Sequence, residues 1–149
     1  MRGFRSAMLA LALTSGWAGT ALAQFPQSAV ESCLRIAFDP SIAPQIVGTW
    51  YVETRSPDGA FVNQQYQQYD QNGLWQYRDQ TCSVGMAIPC SQNQGHGVYS
   101  VNPQGGGNFY IARLFNDLER TNWCQGAQVR VIDGGTLQLP DGTLMTRVQ

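Results

Sequence analysis

The stretch Ile46-Val47-Gly48-Thr49-Trp50-Tyr51-Val52 decides how the rest of this chain is read. Its β-branched and aromatic residues fit an extended, half-buried backbone rather than a helix. Pro57-Asp58-Gly59 then breaks the run, so 47–55 reads as a strand ended by a turn. Downstream the pattern repeats. Strands are expected at 60–70, 74–82, 97–101, 108–115, 125–132, 136–139 and 143–148, separated by turn residues. Gln71-Asn72-Gly73 is the clearest hairpin signal, because Asn-Gly readily takes the positive φ of a tight turn. The segment 83–95 reads as a long loop, and 116–123 as an irregular connection. Most links are too short for the helical crossover a parallel sheet needs. The expected fold is therefore all-β: an eight-stranded antiparallel up-and-down meander closing into a barrel, which removes its edges. A sandwich is the rival arrangement.

Upstream of the first strand, residues 28–38 read as a short N-terminal helix. Ser28-Ala29-Val30-Glu31 fits a capping box, and Val30, Leu34 and Ala37 share a face beside Cys33. Pro40 stops the helix, and Ser41-Ile42-Ala43-Pro44 turns into the first strand. Residues 1–23 read as an export signal. Arg2 and Arg5 precede the apolar run Ala7–Leu13, and Ala21-Leu22-Ala23 is a small-x-small cleavage site. The expected organisation is signal peptide 1–23, helix and turn 24–45, and barrel 46–149. The expected location is the bacterial periplasm or the extracellular medium. No run approaches the ~20 apolar residues of a spanning helix, so no membrane anchor is expected.

Every basic residue of the chain is Arg. Arg2 and Arg5 leave with the signal, so seven arginines face ten carboxylates in the mature chain. Neither a basic patch nor a basic helix face appears, and no nucleic-acid partner is expected. Four cysteines, Cys33, Cys82, Cys90 and Cys124, in an exported chain read as two disulfides with three possible pairings. The expected pairs are Cys82–Cys90, closing a local loop, and Cys33–Cys124, tying the N-terminal segment to a late strand. The alternative, a metal site, needs clustered Cys and His. The cysteines are widely spaced and the single His is His96 between two glycines, so no metal or other cofactor is expected.

Gly48-x-Trp50 on the first strand, a preceding short helix, the strand meander and Arg147 on the last strand together resemble the lipocalin-like, or calycin-like, small barrels. The resemblance implies that Trp50 plugs the closed end of the barrel with Arg147 packed across its indole. It also implies a pocket at the other mouth. The mid-chain Thr-Asp-Tyr type motif of the true lipocalins is absent, so the expectation is a lipocalin-like domain outside that family.

Sorting residues by the two-residue period of a strand gives candidate lumen groups. Strand two is ambiguous: Gln65, Gln67 and Tyr69 share one face, Tyr66 the other, and neither face is uniformly apolar. Gln65, Tyr66, Gln67, Tyr69, Trp75 and Tyr77 are the candidate ligand-binding set, since aromatic walls with a few amides suit a small, partly apolar organic ligand. A barrel of this size is alternatively filled by its own side chains. Met86, Ile88 and Pro89, in a loop stapled by Cys82–Cys90, are the candidate contacts for a protein partner such as an exported hydrolase inhibited through loop 83–95. No Gly-x-Ser-x-Gly elbow, His-x-His pair or phosphate-cradling loop is present. Asp117 and Glu119 near Arg120 read as a solvated loop, and no enzymatic activity is expected.

Overall fold

A computed structural model describes residues 25–34, 44–116 and 121–148. One helix precedes eight strands: α1 (Gln27–Leu34), β1 (Gly48–Arg55), β2 (Phe61–Tyr69), β3 (Leu74–Ser83), β4 (Ser91–Gly105), β5 (Asn108–Asn116), β6 (Trp123–Asp133), β7 (Thr136–Gln138) and β8 (Leu144–Arg147). Each strand pairs antiparallel with the next, and β8 returns to β1 through Trp50↔Arg147 and Tyr51↔Thr146, closing the barrel. The up-and-down meander is therefore the observed fold, and the sandwich is not. The expected signal segment and the helix residues 35–38 lie outside the described residues, as do Asp117, Glu119 and Arg120.

Closure is low on one side. β7 and β8 are three and four residues long. The ladder from β8 reaches Trp50 and Tyr51 of β1 and goes no further toward Arg55. The sheet wall is thus shortest beside the outer half of β1.

Period-two alternation sorts the barrel cleanly. Trp50 and Val52 of β1, Tyr69 of β2, Trp75 and Tyr77 of β3, and Tyr99 and Val101 of β4 point inward. Phe109, Ile111 and Phe115 of β5, Val129 of β6, Leu137 of β7 and Met145 of β8 join them in one buried core. A second, smaller core lies outside the wall. There α1 lays Cys33 and Leu34, with Phe25, against Val98 of β4 and Ala112 and Leu114 of β5. Ala112 and Leu114 are buried by the helix although they face away from the lumen. The buried Ser100 hydroxyl donates to the Leu34 carbonyl (3.0 Å), satisfying a helix-end acceptor that α1 cannot satisfy internally. Cys33–Cys124 bonds the same helix to β6.

Two of the departures from the sequence expectation matter most. The helix starts at Gln27, so Ser28 lies inside it rather than at a cap. The amides of Ala29 and Val30 donate to the Pro26 carbonyl instead (3.0 and 3.1 Å). More consequentially, 91–96 is strand, not loop. β4 runs fifteen residues, and the β3–β4 ladder extends from Leu74↔Val98 to Thr81↔Ser91. Gln92-Asn93-Gln94-Gly95 has poor strand propensity, but cross-strand pairing decides strand formation more than propensity does. Cys82–Cys90 pins the neck of this hairpin, leaving a connection of only 84–90. Gly48 and Gly97 are among the glycines that geometry requires. Gly48 opens β1 at φ 139°, a conformation side chains rarely adopt. At Gly97 a Cβ would collide with the Leu114 carbonyl and the Phe115 backbone, where β4 and β5 approach closely.

Candidate functional site

The closed end is built around Trp50, which is fully buried. Its indole N–H donates to the Ile46 carbonyl (2.7 Å). The Arg147 guanidinium lies 4.3 Å from the centre of the Trp50 ring. Arg147 also donates to three carbonyls, those of Gly134 (2.8 Å), Gln45 (2.8 Å) and Val47. One side chain thus ties the β6–β7 turn and the approach to β1 together over the plug, and the cation–π contact contributes ~0.5–2 kcal/mol. The group is structural: its donors are spent on backbone carbonyls.

Deeper in the barrel the wall is mainly apolar around one hydrogen-bonded polar chain, with Asp79 and the Asn63–Thr81 pair further along β2 and β3. The inward side of β2 carries Gln65, Gln67 and Tyr69. Gln67 Nε2 donates to Gln65 Oε1 (2.7 Å), and the Tyr69 hydroxyl donates to Gln67 Oε1 (2.6 Å). From β5, Arg113 reaches across the lumen and donates through Nη1 to Gln67 Oε1 (2.8 Å) and to the Tyr69 hydroxyl (3.1 Å). Its guanidinium carbon lies 5.1 Å from the centre of the Trp75 ring on β3. Arg113 is only 6 % exposed. Among the described residues no carboxylate forms an ion pair with it; the one ion pair there is Arg55–Glu53, on the surface. A buried guanidinium stays charged, so its charge is met by amide, phenol and aromatic faces alone. Burial raises the Tyr69 pKa, against the opposing pull of the adjacent Arg113 charge.

Among the described residues, three buried side-chain polar atoms have no hydrogen-bond partner: Arg113 Nε, Trp75 Nε1 and Asp79 Oδ1. Trp75 Nε1 lies near enough to Tyr69 to favour its ionised form, yet makes no hydrogen bond of good geometry. Asp79 follows Trp75 and Tyr77 on the inward face of β3. Unsatisfied groups of this kind are rare in folded proteins and call for an explanation.

Of the sequence-predicted lumen set, Gln65, Gln67, Tyr69, Trp75 and Tyr77 converge on the interior side. Tyr77 stacks on Trp75 at 5.2 Å between ring centres, and Phe115 meets both edge-on. Tyr66 does not belong with them. It lies on the outer face, 5.0 Å from Tyr51 and with Arg78 over its ring (4.9 Å), because one residue's shift along a strand reverses the face. Met86 and Ile88 are more than half exposed on the 84–90 connection, with Pro89 exposed beside them. They form a separate surface on the β3–β4 hairpin. His96 points outward and is exposed. Arg113 was not among the predicted site residues. Its signal was present as a lone cation on a face otherwise made of Phe109, Ile111 and Phe115, but periodicity alone does not say which of the two faces turns inward.

Among the described residues no group of three or more His, Cys, Asp or Glu side chains could hold a metal ion. An open cleft of about 500 Å³ is lined by Asn108, Phe109, Gln128, Val129, Gln138 and Leu139, from β5 to the end of β7. None of the three unpartnered atoms lines it. No protein-family model and no characterised protein sequence matches this chain.

Proposed function

We propose that this protein is an exported binding protein, not an enzyme, which takes a small, partly apolar ligand into its barrel. The observation that carries the reading is the polar chain Gln65–Gln67–Tyr69–Arg113 set among the aromatic and aliphatic side chains of the lumen. A barrel that needed only a filled core would be better served by apolar side chains, since a buried unpaired cation is costly. Aromatic walls from Trp75, Tyr77 and Phe115 supply the apolar contact such pockets use. The two disulfides fit an oxidising compartment. The test is a titration with the neutral apolar fluorophore N-phenyl-1-naphthylamine, read by probe emission and by quenching of tryptophan. Saturable binding at one site supports the reading, and a barrel that takes up neither this probe nor its sulfonated counterpart 1-anilinonaphthalene-8-sulfonate overturns it.

A second reading is favoured by a different observation. Val84, Met86 and Ile88 are each about half exposed on a seven-residue connection stapled by Cys82–Cys90. A constrained apolar loop loses little conformational freedom on docking, which suits contact with a protein partner. Exchanging Met86, Ile88 and Pro89 for Ser should abolish capture of such a partner while leaving the barrel folded. Capture that survives the triple exchange excludes this surface.

A further inference from the structure

We infer that the lumen selects an acidic ligand, one anionic acceptor such as a carboxylate or sulfonate on an apolar or aromatic body, and that Arg113 and Trp75 read the anion. This rests on the proposal that the barrel holds a small ligand. The geometry has three parts. Arg113 is a buried cation with no carboxylate paired to it among the described residues. Its Nη1 is committed to Gln67 and Tyr69, but its Nε–H is buried and unpartnered. The indole N–H of Trp75 is also buried and unpartnered, and that ring is already in contact with the guanidinium. Two unused donors on touching side chains, one of them carrying a full charge, are complementary to an anion and not to a cation or a hydrocarbon. Gln67 and Tyr69 hold the guanidinium in place before any ligand arrives, so binding an anion costs little reorganisation. The aromatic rings of Tyr77 and Phe115 beside Trp75 offer the remainder of the ligand an apolar wall.

Two probes with the same aromatic skeleton separate the headgroup from the body. 1-Anilinonaphthalene-8-sulfonate carries an anion, and N-phenyl-1-naphthylamine does not. The wild-type protein is expected to bind the sulfonate at least about tenfold more tightly, the scale of one charge-assisted hydrogen bond. Gln67→Glu places a carboxylate within reach of Arg113 and supplies the missing counter-charge internally. It is expected to bring the ratio of sulfonate to neutral-probe affinity down to about one and to raise the thermal midpoint. Trp75→Phe keeps an aromatic ring, removes the N–H and is expected to weaken the sulfonate more than the neutral probe, lowering their affinity ratio. It stands as the independent variant if Gln67→Glu fails to fold. Equal affinities for the two probes, or a sulfonate preference that survives both substitutions, overturn the inference while leaving the ligand-binding proposal intact. If neither probe binds the wild type, the proposal on which it rests fails.

Discussion

Trp50 and Arg147 show how much two residues can specify. Trp50 fills the closed end, and Arg147 covers its face while satisfying backbone carbonyls from two separate segments. Trp50→Ala should destabilise the barrel by about 3–5 kcal/mol in urea titrations, because the emptied plug is ringed by strands that cannot collapse into it. Arg147→Lys keeps the charge but not the planar fork, and should lose about 1–2 kcal/mol through the unreplaced carbonyl contacts. An effect of Arg147→Lys within experimental error would show that charge alone holds the seam. This pair was legible because Gly48-x-Trp50 with a last-strand Arg resembles the closed end of lipocalin-like barrels. Arg113 was not, because its importance depends on what lies across the lumen, and Gln67 and Tyr69 are more than forty residues away in the chain.

At the level of elements, turn chemistry placed most boundaries and pairing overrode it once. β4 gained six residues at its start because β3 offered a complete ladder and Cys90 was already tethered to Cys82. The two disulfides differ in the chain they close, with separations of 91 and 8 residues. Loop-closure entropy predicts that replacing Cys33 and Cys124 with Ser costs about 4–5 kcal/mol, against about 2–3 kcal/mol for Cys82 and Cys90. Chemical denaturation of the two double variants compares them directly. The Cys33–Cys124 variant should additionally show fast hydrogen exchange in α1, since that bridge is the covalent tie between helix and barrel. Equal losses in the two variants would mean that the unfolded chain is already compact around residues 33 and 124.

For the whole molecule, the order of contacts has consequences. Seven of the eight strand pairings join neighbours in sequence, whereas β1 and β8 pair across almost the full barrel sequence. Closure of the seam is therefore expected late in folding, after the local hairpins have reduced the loop to be closed. Arg147→Ala should accordingly speed unfolding and leave the folding rate nearly unchanged in stopped-flow chevrons. On the alkaline side, buried phenols make stability depend on pH. Burial raises the pKa of both Tyr69 and Tyr99 above the ordinary value of 10.0, and Tyr99 also donates to the Asp70 carbonyl (2.6 Å). Above that ordinary value the unfolded chain ionises these groups while the folded chain keeps its protons. Their contribution to stability is complete below pH ~10 and is lost as pH rises toward the folded values. Urea midpoints measured from pH 8 upward should fall beyond pH ~10, and Tyr99→Phe should flatten that fall.

Sequence alone determined the alternation of each strand, the turn positions and the likeness to a lipocalin-like barrel, because those follow from local backbone preference and a two-residue period. It left strand two ambiguous, with amides on both of its faces. Only the tertiary structure decided that Gln65, Gln67 and Tyr69 turn inward and Tyr66 outward, and that Arg113 crosses to meet them. The reason is physical: which face of a strand is buried depends on the register of its neighbours and the closure of the whole sheet, and neither is encoded within any single strand.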